Sequence, residues 1–479
     1  MPASDPLRPQ LLTELAAQRM LAGLFPTAIE TARAAIAEAE QAPPPMRSIA
    51  HNILASSLIE DGSIDEGFAE FELAGALAEG DAGATLRLAV NVSDALNSVG
   101  QYAAAVELAE SGLARARERG VERTSGVWLA ANTAEPLIAL GQYDRAEEML
   151  RIALGSDDRT GVTAQLQRAR LWVWHGEPQR ADALLRRLRT PLRALAELEQ
   201  QTRLSLARIS AEVAIALGDF DRAWQETRGI GATPFRSVPG YDLPVLAGAG
   251  RALAELAMHG ADAGGADEAG DAARLDVAAE ASRLEDVLAP LRSWPTAAVW
   301  APLIDAELAT ARAAVAVPTD HAGSAARIDR FADALAAWER ATVAAAGPLA
   351  PVHLRPYALL RAARIALAAG DRSLAERLVS QARALADQGG IRLLVETADA
   401  LAAQPAGRSA AGASAHGQPL TEREEQVLAL IEQGLSNKQI GELLYISAKT
   451  ASVHVSSILR KVGASSRTEA VYRASRPVP

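Results

Sequence analysis

Toward the end of the chain, apolar and polar positions separate onto two stripes of one helix. Ala451, Val455, Ile458 and Val462 recur at i, i+4, i+7 and i+11, a spacing that puts them on one face over a core. Lys449, Val453, Ser456 and Arg460 repeat that spacing on a second face, with Ser452 beside it, and AKTASVHVSSILRKV contains no acid. Ahead of it, Thr421 and Glu424 form a capping box that opens EREEQVLALIEQG, a helix closed by Gly434. Ser436 caps NKQIGELL, Ser447 caps the striped helix, which Gly463 ends, and Ser466 caps RTEAVYRAS. The pattern predicts four short helices from Leu420 on. The second and third are joined by the turn Tyr445-Ile446-Ser447, as in a helix-turn-helix unit.

Upstream, a different pattern repeats. A helix-like run ends at a Gly, an aromatic or apolar residue follows two positions on, a small residue three beyond that, and another helix-like run begins. It occurs as GLFPTA at Gly23, GSIDEG at Gly62, GQYAAA at Gly100, GQYDRA at Gly141, GEPQRA at Gly176, GDFDRA at Gly218 and, with Arg372 at the apolar position, GDRSLA at Gly370. The first six glycines are 39, 38, 41, 35 and 42 residues apart, and Gly218 and Gly370 are 152 apart, close to four such steps. This is the signature of a helix hairpin: Gly turns the chain, Tyr102, Tyr143 or Phe220 wedges between the paired helices, and Ala146 or Ala223 lets them approach. A hairpin cannot bury its own face, so successive hairpins must stack. The array is expected over roughly residues 8–400. It matches poorly from about 230 to 330, where HGADAGGADEAGDAARLD reads as a loop or insertion. QPAGRSAAGASAHGQP, after Ala403, reads as a flexible linker. The expected organisation is therefore a repeat domain over 1–403, a linker over 404–419 and a separate domain over 420–479.

Composition agrees with helix throughout: 49% of residues are hydrophobic, only 4% aromatic, and Ala and Leu dominate. The fold class expected is all-α, an α-solenoid followed by a four-helix unit. The tryptophans (Trp128, Trp172, Trp174, Trp224, Trp294, Trp300, Trp338) are expected in core and inter-repeat packing. Trp172 and Trp174 cannot face the same way on one helix, so one of them is expected at a groove.

Charge changes the picture for the last sixty residues. The net charge is −11, yet Leu420 to Pro479 holds eight cations against six acids, leaving −13 on the rest. All three lysines of the chain, Lys438, Lys449 and Lys461, fall there. A face of two cations, short polar groups and one small apolar residue suits the major groove of double-stranded DNA, where Val can touch a thymine methyl. Asn437 and Lys438 open the second helix, where backbone N–H groups and a cation favour phosphate.

LTEREEQVLALIEQGLSNKQIGELLYISAKTASVHVSSILRKVGASSRTEAV resembles the LuxR/FixJ-type helix-turn-helix of bacterial regulators over about an eighth of the chain. The resemblance implies phosphate contacts from Asn437, Lys438, Thr450, Lys461 and Arg467, joined by Arg460 on the polar stripe. It implies base-facing positions at Lys449, Ser452, Val453 and Ser456, and a dimerising fourth helix through Ala470, Val471 and Tyr472. Ala451 and Ser452 stand where Val and Lys are common in that family. Gly441 replaces a usual Ala, costing about 1 kcal/mol of helix propensity. His454 also matches and is read as packing. The upstream array resembles the tetratricopeptide repeat (TPR), with Tyr143, Ala146 and Ala153 at its aromatic and alanine positions, although the period exceeds 34. Together the two resemble the C-terminal part of the large ATP-binding LuxR regulators of the MalT group, with the ATPase absent.

Other chemistry finds no support in the sequence. A phospho-receiver domain or a P-loop needs a lysine, and none precedes Lys438. The seven histidines show no metal-ligand spacing, no GxSxG occurs, and there is no cysteine. Carboxylates such as Asp144, Glu147 and Glu148 read as solvated helix faces. No long uncharged apolar run and no signal-peptide core occur. The expectation is a cytoplasmic, non-enzymatic, sequence-specific transcription regulator without cofactor or membrane association. It would bind DNA as a homodimer, its array receiving a protein, peptide or small-molecule effector. The alternative is a TPR-type interaction scaffold whose C-terminal unit serves only in dimerisation.

Overall fold

The computed structural model describes residues 7–155, 159–232, 237–262, 275–315, 324–403, 422–433 and 435–444, together with 454, 455, 458 and 459. The chain separates into two compact units, Met1–Ala403 and Gln404–Pro479. Every regular element among the described residues is helical. None of these helices is long and apolar enough to cross a membrane.

In the first unit, helices pair through glycine turns. The opening hairpins are α1 (Arg8–Leu21) with α2 (Phe25–Glu38), α3 (Pro44–Glu60) with α4 (Ile64–Ala78), and α5 (Ala82–Ser98) with α6 (Tyr102–Glu118). After a π-helical turn, Glu122–Gly126, come α7 (Val127–Ala139) with α8 (Tyr143–Ala153), and α9 (Arg159–Trp174) with α10 (Pro178–Arg187). Next are α11 (Arg189–Leu198) and the hairpin α12 (Gln200–Ala216) with α13 (Phe220–Thr227). All seven glycines singled out by the repeat pattern have positive φ, from 71° at Gly23 to 99° at Gly62, and four more (Gly80, Gly120, Gly231, Gly390) share that conformation. The residue five positions after each pattern glycine is buried and small: Ala28, Gly67, Ala105, Ala146, Ala181, Ala223 and Ala375. Tyr143 opens α8 and is buried, while Tyr102 and Phe220 open α6 and α13 half-buried. Asp219 and Asp371, directly after their glycines, cap the second helix of each hairpin by accepting from Arg222 N at 3.2 Å and Leu374 N at 2.9 Å.

The array then folds back on itself. It continues as α14 (Pro239–Asp262), α15 (Val277–Leu288), α16 (Ala297–Val315), α17 (Ser324–Ala344), α18 (Leu354–Ala369), α19 (Arg372–Gln388) and α20 (Arg392–Ala402). One apolar cluster joins Phe25, Ile59, Phe71 and Val99 to Leu246, Ile304, Trp338 and Ile365, and a second joins Leu113, Leu137 and Leu150 to Leu359, Val379 and Leu394. The turn edge of the early hairpins takes part in this closure. Gly100 sits where a Cβ would lie 2.9 Å from Thr296 Cγ2, so it meets a φ of +87° and a close approach at once. Trp294 Nε1 donates to Ser98 O at 3.0 Å and Val352 N to Ala139 O at 2.8 Å. Purely nearest-neighbour stacking would lack such contacts.

Two sequence expectations change here. Where the pattern fades, the described residues from 239 to 344 form the helices α14, α15, α16 and α17. Of the stretch read as a loop, His259–Asp262 complete α14, and Asp276 caps α15 by accepting from Ala279 N at 3.0 Å. Residues 263–274 lie outside the described residues, as does the stretch 404–419 read as a linker.

A buried ion cluster ties the late helices together. Arg361 of α18 lies between Glu255 of α14 and Glu307 of α16, its Nε donating to Glu307 Oε1 at 2.9 Å, and Tyr357 donates its hydroxyl to the same oxygen. Glu255 also accepts from Arg364 at 2.9 Å, and Arg361 with Arg364 holds its carboxyl well below the usual range despite burial.

Candidate functional site

In the second unit, α21 (Glu422–Glu432) and α22 (Asn437–Leu444) pack through Val427, Leu428, Ile431 and Ile440. Val455 and Ile458, two members of the expected apolar stripe, are buried in the same cluster, and residues 454–455 and 458–459 are helical. Leu435 N donates to Leu430 O at 3.2 Å where α21 ends. Ser436 and Gln439 form a reciprocal cap: Gln439 N donates to Ser436 Oγ at 3.4 Å, and Ser436 N donates to Gln439 Oε1 at 2.9 Å. The cap fixes the first turn of α22, with Asn437 half-buried and Lys438 exposed. His454 is half-buried.

The remaining expected contacts lie outside the described residues: Lys449, Thr450, Ser452, Val453, Ser456, Arg460, Lys461, Arg467, Ala470, Val471 and Tyr472, with the cap residues Thr421, Ser447 and Ser466.

The first unit holds a feature that sequence reasoning missed. The first helices of the early hairpins, α1, α3, α5, α7, α9 and α12, with Tyr241 of α14, line a half-open cavity of about 1200 Å³. Six carboxylates line it (Glu14, Glu60, Asp81, Asp94, Glu135, Glu199) against two arginines, Arg87 and Arg123. Apolar contact comes from Met20, Phe25, Met46, Ile49, Ile53 and Trp128. The π-helical turn contributes Arg123, Thr124 and Ser125.

The carboxylates differ in their partners. Asp81 caps α5, accepting from Ala84 N at 2.8 Å. Glu135 meets Arg208 at 3.0 Å and Arg170 at 3.6 Å, and both arginines also meet Glu212. Asp94 accepts from Tyr241 Oη at 3.1 Å and Gln201 Nε2 at 3.3 Å. Among the described residues, neither Glu60 nor Asp94 forms an ion pair with a cation. Burial, with the negative charges of Asp94 and Asp242 added, pushes Glu60 up to about 8. Burial likewise raises Asp94 to about 6, against the hydrogen bond from Tyr241.

Behind this wall Arg170 is buried and its pKa is lowered, first by burial and then by Arg208. Burial and the same two arginines hold His353 well below the usual imidazole range, where it packs on Trp174 with centroids 4.3 Å apart. Trp174 is thus a core residue. Trp172 is half-buried, with the Arg180 guanidinium 3.9 Å over its ring. Neither lines the cavity; Trp128 does. The other tryptophans are core, as their apolar settings imply: Trp224, Trp294, Trp300 and Trp338 are all buried. Asp144 and Glu148 are exposed, and Glu147 is half-buried near Arg168 at 3.4 Å. No group of three His, Asp or Glu able to hold a metal ion occurs among the described residues.

Residues 418–474 match the family of bacterial regulatory proteins, luxR family. The segment therefore carries a LuxR-type helix-turn-helix domain. The transcriptional regulatory protein LiaR of Bacillus subtilis is 46% identical over 59 residues, 12% of this chain and 28% of LiaR. The HTH-type transcriptional regulator MalT of Yersinia pestis is 47% identical over 58 residues, 12% of this chain and 6% of MalT. The chain thus spans under a third of either relative. A solved TPR domain, that of P58(IPK), aligns with 84% of this chain and 99% of that chain at 16% identity. Its TM-score is 0.20, too low for a shared overall arrangement.

Proposed function

We propose that this chain is a sequence-specific DNA-binding transcription regulator whose helical array receives the signal. The match of residues 418–474 to the luxR family carries the reading. The capped start of α22 and the burial of Val455 and Ile458 support it, because they are what a helix-turn-helix core requires. On this reading Lys449, Ser452, Val453 and Ser456 face base edges, while Asn437, Lys438, Thr450, Arg460, Lys461 and Arg467 hold phosphates. Two copies pair through Ala470, Val471 and Tyr472 on adjacent half-sites. The protein performs no catalysis and works in the cytoplasm, where the DNA is.

The test is a selection of the full chain against a random DNA pool. The expected result is an enriched, two-fold symmetric motif that is lost in Val453→Ala. A chain that retains no motif at low salt, and loses all binding as salt rises, overturns the reading in favour of an interaction scaffold.

A further inference from the structure

The cavity of the array has a polarity that selects its ligand. Three side-chain atoms of its lining are buried without a hydrogen-bond partner: Glu60 Oε2, Asn97 Oδ1 and Gln167 Oε1. The two amide oxygens are acceptors, and Glu60 Oε2 becomes one when its carboxyl is ionised. Glu60 is 6% exposed, and that exposure is to the cavity it lines. Unsatisfied buried acceptors cost free energy that a donor entering the cavity would recover. The charge count, six carboxylates to two arginines, favours a donor that is also a cation.

The neighbours of Glu60 narrow the choice. Asp94 of α5 and Asp242 of α14 add negative charge, and Tyr241 spends its hydroxyl on Asp94. Arg170 and Arg208, behind the wall, are committed to Glu135 and Glu212. Of the lining arginines, Arg87 and Arg123, neither forms an ion pair with Glu60 or Asp94 among the described residues. The apolar wall of Met20, Met46, Ile49 and Trp128 calls for a carbon body behind that charge.

The geometry points to a binding site for a small organic amine, with its ammonium held between Glu60 and Asp94 and its apolar body against Trp128 and the methionines. This deepens the reading of the array as signal-receiving and rests on it. Before binding, Glu60 carries its proton near neutrality, since its pKa lies at about 8. A cation beside it favours the carboxylate, so binding at pH 7 releases a proton from Glu60 to solvent while the amine keeps its own.

The experiment is calorimetric titration of the full chain at pH 7 with phenethylamine, agmatine and the uncharged isostere 2-phenylethanol, in two buffers of different ionisation enthalpy. Expected are saturable binding of an amine, release of close to one proton per site, and no binding of the alcohol. Glu60→Gln should weaken amine binding at least tenfold and abolish the proton release. Asp94→Asn, which leaves Glu60 in place, should weaken binding but keep the release. Circular dichroism checks that each variant is folded. Binding of the alcohol as tight as that of the amines, no binding of either amine, or a folded Glu60→Gln chain with unchanged affinity overturns the site. Adding the bound amine to the selected DNA motif tests the reading beneath: unchanged DNA affinity overturns the array as receiver of this signal and leaves the site standing.

Discussion

Tyr241 donates its hydroxyl to Asp94 Oδ1 at 3.1 Å, joining residues 147 apart in the chain. The bond ties α14 to α5 at the cavity wall, where the early hairpins meet the helices that close over them. It also holds Asp94 lower than burial alone would leave it.

Tyr241→Phe should therefore act twice. Losing a hydrogen bond to an ionisable acceptor should lower stability by about 1–2 kcal/mol, and the Asp94 carboxyl should titrate higher still. All seven tryptophans lie between residues 128 and 338, so fluorescence during urea unfolding reports the first unit alone. An unchanged urea midpoint would mean that the bond contributes nothing.

Stability should fall as pH rises across the mildly acid to neutral range. Glu60, Asp94 and Asp242 are all raised, to about 8, 6 and 6, so between about pH 4 and 8 the folded state binds more protons than the unfolded chain. An acid whose pKa is higher in the folded state destabilises progressively between its two pKa values. Each such group costs up to about 1.4 kcal/mol for every pH unit separating them. Glu60→Gln should flatten the upper part, from about pH 6 to 8. Thermal melts across pH, with and without the substitution, check both the slope and its loss.

These acids show where the sequence stops being legible. The hairpins are readable because each needs a left-handed Gly and a small residue at fixed spacing, and Gly141, Tyr143 and Ala146 satisfy that locally. Seven turns are legible this way; Gly80, Gly120, Gly231 and Gly390 are not, because Thr85, Ser125, Arg236 and Val395, and not Ala or Gly, stand five positions after them. Closure is not readable, since Trp294 reaches Ser98 across 196 residues and no local pattern encodes that. The cavity follows from closure, so Glu60 and Asp94 look in sequence like the exposed Asp144 and Glu148. In the second unit the reading of α22 is local again: Ser436 and Gln439 are three apart, and their cap is written in that spacing.

Gly67 and Gly62 should fail differently when replaced by alanine. At Gly62, φ is +99° and nothing lies within 4 Å of where a Cβ would stand, so Gly62→Ala costs only the left-handed strain, about 1 kcal/mol. At Gly67 a Cβ would fall 2.4 Å from Ile59 Cγ1 and 2.8 Å from Ala55 O, so Gly67→Ala must push α3 from α4 and costs about 1–3 kcal/mol. In a double-mutant cycle Ile59→Ala, which removes the Cγ1 in the way, should cost less beside Gly67→Ala than alone, and no less beside Gly62→Ala. Equal losses, with no rescue, would contradict the packing argument.

Arg361→Met should cost about 3–5 kcal/mol, because it leaves Glu255 and Glu307 facing each other in the core with their main cation gone. The pH dependence has the opposite sign to that of Glu60. Glu255 is held below its ordinary value, so its contribution is full above about pH 4.5 and is lost as pH falls. In Arg361→Met that acid limb should shrink, leaving the Arg364 share. Acid titration followed by circular dichroism separates the two limbs.

Lys438 gives the sharpest test of the second unit among the described residues, since it is exposed on the first turn of α22 beside the Ser436–Gln439 cap. A lysine that neutralises one phosphate contributes about −0.9 to the slope of log affinity against log salt, and its loss weakens all sequences alike. Lys438→Ala should therefore lower affinity several-fold for both the selected motif and an unrelated duplex, and make the salt slope shallower by about one. Gln439→Ala removes the side chain that accepts from Ser436 N and leaves the lysine. It should cost about 1 kcal/mol of stability while keeping the salt slope. A selective loss on the motif alone would move Lys438 from phosphate to base contact. An unchanged slope would remove it from the interface.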